Sequence, residues 1–392
     1  MTDTAPQRQA LADRLEKAGV LTTPRWRAAV EAVPRELFLN PGVFLPEGAD
    51  RWRPVTALGA GPAEWAEIAY TDQSLVTQLD GYLTADRTAD LVTGAPTSSS
   101  TTPVTVVGMI EHLDVEDGQR LLEIGTGSGY SSALMCHRLG EENVTTVEVD
   151  PDVAARADLA LEAAGFSTWT VAGDGLLGHP RRAPYDRVIA TCAVRRIPHT
   201  WVRQTKPGGI ILGTVGSWGY GSGLAKVTVG RDGTAEGRII GRSSFMQARS
   251  QAVVPVAGDL SARTAYADSE SQTKVPPTML DEWMPAFLAQ LAAPGAHFVR
   301  AARSDGTRLL YVFDPERESF AQFTAEGDGA GDGWTVRQGG PVALWDAIEQ
   351  ALVAWQDAGS PDIDAVRLHI TDRSHTYWIE DNPSLRWRHG LV

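Results

Sequence analysis

Apolar residues recur along this chain at two spacings, and the change from one to the other outlines its elements. Over residues 6–19, Ala10, Leu11, Leu15 and Ala18 share one helical face, and Gly19 closes the segment. Pro24 opens a second helix with Trp26, Ala29, Val30 and Val33 on one side, and Pro34 stops it. Val104, Val107, Met109, Ile110 and Leu113 predict a third. From 121 to about 216 short apolar runs alternate with helical stretches. The predicted strands are Leu121–Ile124, Val144–Val149, Thr168–Ala172, Arg187–Thr191 and Ile210–Val215. Between the second and third, Asp150 is the N-cap, Pro151 the first helical residue and Gly165 the stop for a helix over 151–164. This alternation predicts an α/β fold, a doubly wound parallel sheet with helices on both faces. Ligands in such sheets sit off the carboxyl ends of the strands.

Two regions break the pattern. Residues 41–104 read as a long irregular stretch, rich in Thr, Ser, Asp and Gly beyond Thr71, and therefore as a linker or a loop over a site. Beyond about 235 short strands mix with helices near 280–292 and 341–357, an α+β texture with a loop at Glu326–Gly333. Six of the 12 tryptophans (Trp283, Trp334, Trp345, Trp355, Trp378 and Trp387) fall there, which favours an aromatic core. The expected organisation is an N-terminal helical segment and pocket loop (1–104), a nucleoside-binding core (105–234) and a C-terminal α+β domain (235–392).

The candidate chemistry lies at strand ends. Leu121–Ile124 runs into Gly125-Thr126-Gly127-Ser128-Gly129, a turn that presents bare N–H groups at a helix N-terminus. Either a dinucleotide pyrophosphate or the amino-acid end of S-adenosylmethionine suits such a turn. The spacing is G-x-G-x-G, and Tyr130 stands one place past the last glycine, so the dinucleotide pattern fits poorly. Glu123, just before the turn, can face an ammonium group, which the pyrophosphate lacks. Glu148, followed by Val149, ends the second strand, where a carboxylate accepts both hydroxyls of a ribose. Asp174-Gly175 follows the third strand and can take an adenine amine.

Charge and cysteine usage narrow the classes. The net charge of −14 opposes binding to nucleic acid or an anionic membrane. Cys136 and Cys192 stand apart without a ligand pattern, so neither a metal site nor a disulfide frame is expected. No apolar run approaches a membrane span, and the first residues lack a basic-then-apolar signal, so a cytoplasmic location is expected. The sequence carries no signal of oligomeric state.

Taken together, several segments in fixed order resemble the protein-L-isoaspartate O-methyltransferase family. They are Arg27–Phe38, Ala69-Tyr-Thr-Asp72, the Ser/Thr run before Pro103, Leu121–Tyr130, Thr146-Val-Glu148, Gly173-Asp-Gly175, Ala183-Pro-Tyr-Asp186 and Lys206-Pro-Gly-Gly209, over roughly residues 20–220. The resemblance implies S-adenosylmethionine on Gly125–Gly129, with Glu148 at the ribose and Asp174-Gly175 at the adenine. It implies methyl transfer to the carboxylate of an Asp or isoaspartyl residue in a peptide or protein. The family's Thr-Ile-Ser-x-Pro segment corresponds to Ser99-Ser-Thr-Thr-Pro103. This puts Thr101 in the substrate-binding hydroxyl position, with Ser99, Ser100 and Thr102 beside the cofactor.

Two departures set the chain apart from the compact repair members: the 29 positions between Asp72 and Thr101, and the region after 235. In these respects it is similar to members associated with ribosomal peptide maturation, alongside ATP-grasp ligases or lanthipeptide synthetases. Those esterify an ordinary Asp of a cyclised peptide, whose neighbouring nitrogen then closes an aspartimide. The C-terminal domain is expected to recognise that peptide. Repair of isoaspartyl proteins and a non-catalytic peptide-binding scaffold are the alternatives.

Overall fold

The computed structural model describes residues 3–390 apart from 49, 219, 253–257, 303–307 and 326–332. The chain forms two compact units, Met1–Cys192 with Thr200–Leu212, and Ala193–His199 with Gly213–Val392. The N-terminal segment therefore belongs to the same unit as residues 105–192 instead of standing alone. The second unit takes over at 213, earlier than the change of texture at 235.

The first unit opens with α1 (Ala5–Lys17) and α2 (Pro24–Ala32), whose apolar faces are buried as their spacing predicts. The stretch read as irregular is largely ordered. It holds β1 (Val43–Pro46), β2 (Trp52–Val55), α3 (Ala57–Ala69), β3 (Leu75–Leu79) and β4 (Pro96–Ser100). The four strands make an antiparallel sheet in the order β2-β1-β3-β4. Its core is Phe44, Val76, Leu79 and Ala85. β4 is Pro-Thr-Ser-Ser-Ser, with no apolar alternation to announce a strand. It is held by its ladder to β3 and by hydroxyl contacts such as Thr77 Oγ1 to Ser98 Oγ at 3.1 Å.

After α4 (Pro103–Glu111) come β5 (Leu121–Ile124), α5 (Tyr130–Leu139), β6 (Val144–Glu148), α6 (Pro151–Ala163), β7 (Trp169–Ala172), β8 (Tyr185–Val194), α7 (His199–Gln204) and β9 (Thr205–Val215). The chain passes between units within β8 and β9. Within the first unit the strand order is β7-β6-β5-β8-β9, and β5 pairs in parallel with both β6 and β8. The order reverses at β5, so the crevice lies off the carboxyl ends of β5 and β8.

The second unit is antiparallel. One sheet runs β10 (Ser222–Val229), β11 (Ala235–Ser243), β17 (Val366–Ile370), β18 (Ser374–Ile379) and β19 (Asn382–Gly390) in that spatial order. The other runs β12 (Ser269–Thr273), β16 (Trp334–Gly339), β15 (Ser319–Ala325), β14 (Arg308–Asp314) and β13 (His297–Ala302). α9 (Trp283–Ala292) and α10 (Leu344–Asp357) complete it, with the small α8 (Leu260–Arg263). α10 packs on β14–β16, where Phe323 meets Trp345 edge-on at 4.6 Å. Of the six tryptophans, Trp345 and Trp355 are buried and the others half-buried, so the aromatic-core expectation holds for two. The loop expected at Glu326–Gly333 lies, but for Gly333, outside the described residues. Among the described residues no helix is long and apolar enough to cross a membrane.

Candidate active site

The glycine turn after β5 has its expected form. Gly125, Gly127 and Gly129 all take positive φ, and Gly129 caps α5. Each glycine answers a different demand. A Cβ on Gly125 would meet Thr191 Oγ1 at 3.0 Å. One on Gly127 would lie 3.4 Å from the Ser99 carbonyl oxygen. One on Gly129 would press on Phe38 and on Ala157 of α6 at 3.4 Å. Gly129 thus serves helix packing, while Gly125 and Gly127 keep the turn open and let the β4 end approach it. Ser128 is half-buried.

Glu148, at the end of β6, leans over this turn. Its Oε2 accepts from Gly127 N–H at 3.0 Å and its Oε1 from Asp150 N–H at 3.1 Å. Asp150 caps α6 through Asp152 and Val153, as its position predicts. Val149 between them is 39% exposed, an apolar surface beside the carboxylate. Asp174 caps a short turn by accepting from Leu176 N–H at 2.9 Å. Its neighbour Gly173 donates to the Glu148 carbonyl at 2.8 Å, so the two strand-end acids adjoin. Gly175 is buried against Ile124, which leaves no room for a Cβ, and its carbonyl accepts from Trp201 Nε1 at 2.8 Å.

Three expected contacts are placed differently. Glu123 is fully buried, and its oxygens accept from the hydroxyls of Ser131, Ser132 and, at 2.8 Å, Thr146. It braces the first turn of α5 and does not face an ammonium group. Thr126 is buried too, its hydroxyl 2.6 Å from that of Thr146. The Thr102 hydroxyl is taken by Asp72.

Burial outweighs those hydroxyl bonds and raises the Glu123 carboxyl to about 7. A folded-state pKa above the unfolded one stabilises the fold most below the ordinary carboxyl range, and the gain is lost as pH rises through about 7. Against Glu123→Gln, the parent should therefore lose on the order of 3 kcal/mol between pH ~4.5 and ~8. Urea melts of both proteins across that range measure it; parallel profiles would show the carboxylate to be unstrained.

The lid over the turn is built around residues without an assigned role in the sequence. Asp72 Oδ1 accepts from Val104 N–H at 3.1 Å, capping α4, and Ser74 Oγ accepts from Thr102 N–H at 3.1 Å. These bonds bring the Ala69–Asp72 and Ser99–Pro103 segments together. Arg35 is fully buried behind them. Its Nη1 donates to the carbonyls of Ala69 and Thr71 at 2.7 and 2.9 Å. Its Nη2 donates to those of Gln73, Ser100 and Thr101 at 3.2, 3.4 and 3.2 Å. Burial lowers its pKa to about 10, and its guanidinium lies 5.8 Å from the Tyr130 ring centroid. Arg35 follows the Pro34 stop and opens a short turn over Arg35–Leu39, where nothing local announces a buried charge. In front of this frame Thr101 is half-buried, and its hydroxyl has no hydrogen-bond partner among the described residues. The Ser100 hydroxyl is buried without a partner, and Ser99 is half-buried.

The fold is that of an α/β methyltransferase, with a glycine turn and two strand-end acids at the switch point of its sheet. The model of the family described as "Protein-L-isoaspartate(D-aspartate) O-methyltransferase (PCMT)" matches residues 62–252. The chain is similar to the protein-L-isoaspartate O-methyltransferase of Thermococcus onnurineus, 30% identical over 236 residues, 60% of this chain and 89% of that protein. It is 43% identical over 112 residues to that of Ignicoccus hospitalis, covering 28% of this chain and only about half (53%) of the relative. A solved structure titled protein-L-isoaspartate O-methyltransferase shares the fold with a TM-score of 0.53 at 20% identity, covering 98% of this chain and 99% of its own.

The chain belongs to the protein-L-isoaspartate O-methyltransferase family, carboxyl methyltransferases that use S-adenosylmethionine. That last match extends over the region after 235 as well as the methyltransferase core.

Proposed function

We infer that this protein methylates the free α-carboxylate of an isoaspartyl residue in a protein or peptide. The observation that carries the reading is the seating of the Ser99 carbonyl against Gly127, with an unengaged Thr101 hydroxyl two residues further along the same segment. The residues fit the donor. Gly125, Gly127 and Ser128 leave the turn accessible to its amino-acid end, Glu148 suits its ribose, and Val149 and Asp174 suit its adenine. When bound, the donor supplies an electrophilic methyl group. The acceptor carboxylate is already an anion at neutral pH, so the chain has no proton to remove. Its task is to aim one carboxylate oxygen and keep water from it. Thr101 does the aiming in this reading, with Ser99 and Ser100 on the donor side.

An isoaspartyl peptide incubated with donor should gain one CH2 in mass, and its normal-aspartyl counterpart should not. Thr101→Ala should lower transfer about 10- to 100-fold, the worth of one hydrogen bond to a charged oxygen, while Thr101→Ser retains it. Single-turnover assays with radiolabelled donor measure this; full rate in the alanine variant moves the aiming role elsewhere.

A second reading draws on the insert between Asp72 and Thr101, where β3 and β4 form part of a sheet beside the lid. Such a rebuilt wall suits a constrained ribosomal peptide bearing an ordinary Asp. There the methyl ester would be attacked by the next backbone nitrogen, which forms the ring nitrogen–carbon bond and releases methanol. Gain of CH2 followed by loss of methanol, only on a cyclised peptide, distinguishes this from the first reading.

A further inference from the structure

The second unit holds a cavity of about 470 Å³, within the range of ligand sites. Its lining includes Arg195, Arg196, Arg317, Arg386 and Arg388 against a single carboxylate, Glu316. In a chain of net charge −14 this is a local reversal of sign. Arg317 is compensated by Asp314 at 3.0 Å, and Arg195 approaches Glu316 at 3.7 Å. The other three have no carboxylate within ion-pair distance among the described residues. Arg196 donates to the Gly390 carbonyl, Arg388 Nε to Ser374 Oγ at 3.3 Å, and Arg386 lies 5.7 Å from the Trp378 ring centroid. Arg195 Nε is buried without an acceptor. Burial, and then the neighbouring Arg195, hold Arg196 below its ordinary pKa. Like charges gathered this way repel, and little inside the unit relieves them.

The layout favours an extended peptide over a small anion. Arg386 and Arg388 are exposed at alternate positions of β19, the end strand of its sheet. Side chains two apart on a strand stand about 7 Å apart, the same repeat as residues i and i+2 of an extended ligand. End strands can also take up a further strand. Phe287 and Leu291 add apolar wall to the cavity, and Trp387 lines it from the opposite face of β19 to Arg386 and Arg388. A free phosphate would meet one or two guanidiniums and leave the rest uncompensated.

We propose that this cavity docks a peptide segment carrying carboxylates at alternating positions. The inference rests on the peptide-substrate reading above and adds the character of the substrate away from the reacting residue. Guanidinium–carboxylate pairing supplies both affinity and direction.

The test uses the full chain and fluorescence anisotropy with a labelled peptide in which Glu alternates with Ala, free of isoaspartate. The peptide should bind, and bind more weakly as salt rises. Arg386→Ala/Arg388→Ala should bind it at least ~10-fold more weakly, with Arg386→Lys/Arg388→Lys in between. Glu316→Gln, at an exposed acid, should bind it more tightly, which guards against a folding defect in the arginine variants. Equal affinity in parent and arginine-to-alanine variant overturns the proposal. So does equal binding of a Lys-for-Glu peptide, or full displacement by about 1 mM inorganic phosphate, which marks a small-anion site. The readout needs no turnover. Arginine-dependent docking of this peptide, with no methyl transfer to a separate isoaspartyl peptide, would sustain this site and sink the functional reading. Methyl transfer with arginine-independent docking would do the reverse.

Discussion

Replacing Arg35 by Ala should lower stability by about 3–5 kcal/mol and methyl transfer by ~100-fold or more, although Arg35 lies behind the lid. The guanidinium is the common donor to five carbonyls from three chain segments: the end of α3, the turn at 71–73 and the end of β4. Without it those carbonyls remain buried with unmet acceptor capacity, and the two strips that form the lid lose their shared anchor. Arg35→Lys should rescue little. An ammonium is a point donor and cannot bridge the Ala69 side and the Thr101 side at once. Urea denaturation gives the stability change, and single-turnover transfer at saturating donor gives the rate. Donor affinity in the surviving folded fraction should fall less than the rate, because the glycine turn and Glu148 are held by β5 and β6. A lysine variant with parental stability and rate would mean that the five carbonyls find other donors and that the lid is held elsewhere.

Local chemistry was legible in the sequence, and chemistry assembled from afar was not. The glycine turn, the Asp150 cap and the strand-end position of Glu148 are each specified within a few residues. The alternating strands and helices of 121–216 follow from patterns that a single window displays. The β4 strand is different. Its Ser and Thr side chains show no period, and only pairing with β3, some twenty positions earlier, makes it a strand. β12, Ser-Glu-Ser-Gln-Thr, is likewise a strand through its ladder to β16. The role of Asp72 became visible only when its carboxylate met Thr102 and Val104 across the insert. Glu123 illustrates the converse. Its place before a glycine turn suggested an outward carboxylate, but β5 is buried on both faces, and α5 supplies two serines to Glu123 there. A sequence window shows which residue stands at a turn and not which way a hydroxyl on the next helix will draw it.

Replacing Glu148 by Ala should weaken donor binding about 10- to 150-fold, the worth of one charge-assisted hydrogen bond at about 1.5–3 kcal/mol. The side chain is buried except for its contact with the turn, where it already accepts from Gly127 N–H and Asp150 N–H. A ribose bound at this strand end would compete for or share those oxygens, so the carboxylate both shapes the turn and reads the sugar. The two roles separate by ligand. S-adenosylmethionine and S-adenosylhomocysteine carry the same ribose and differ at sulfur, cationic in the donor and neutral in the product. Loss of a ribose contact should weaken both equally in calorimetric titrations. A loss confined to the cationic donor would mean that Glu148 faces the sulfonium and acts by charge. Glu148→Gln sharpens the comparison, because it keeps the shape, removes the charge and places an amide donor against the N–H groups of the turn. If the ribose contact governs, Gln should be nearly as poor as Ala toward both ligands. Unchanged affinity in either variant would remove the strand-end acid from the site.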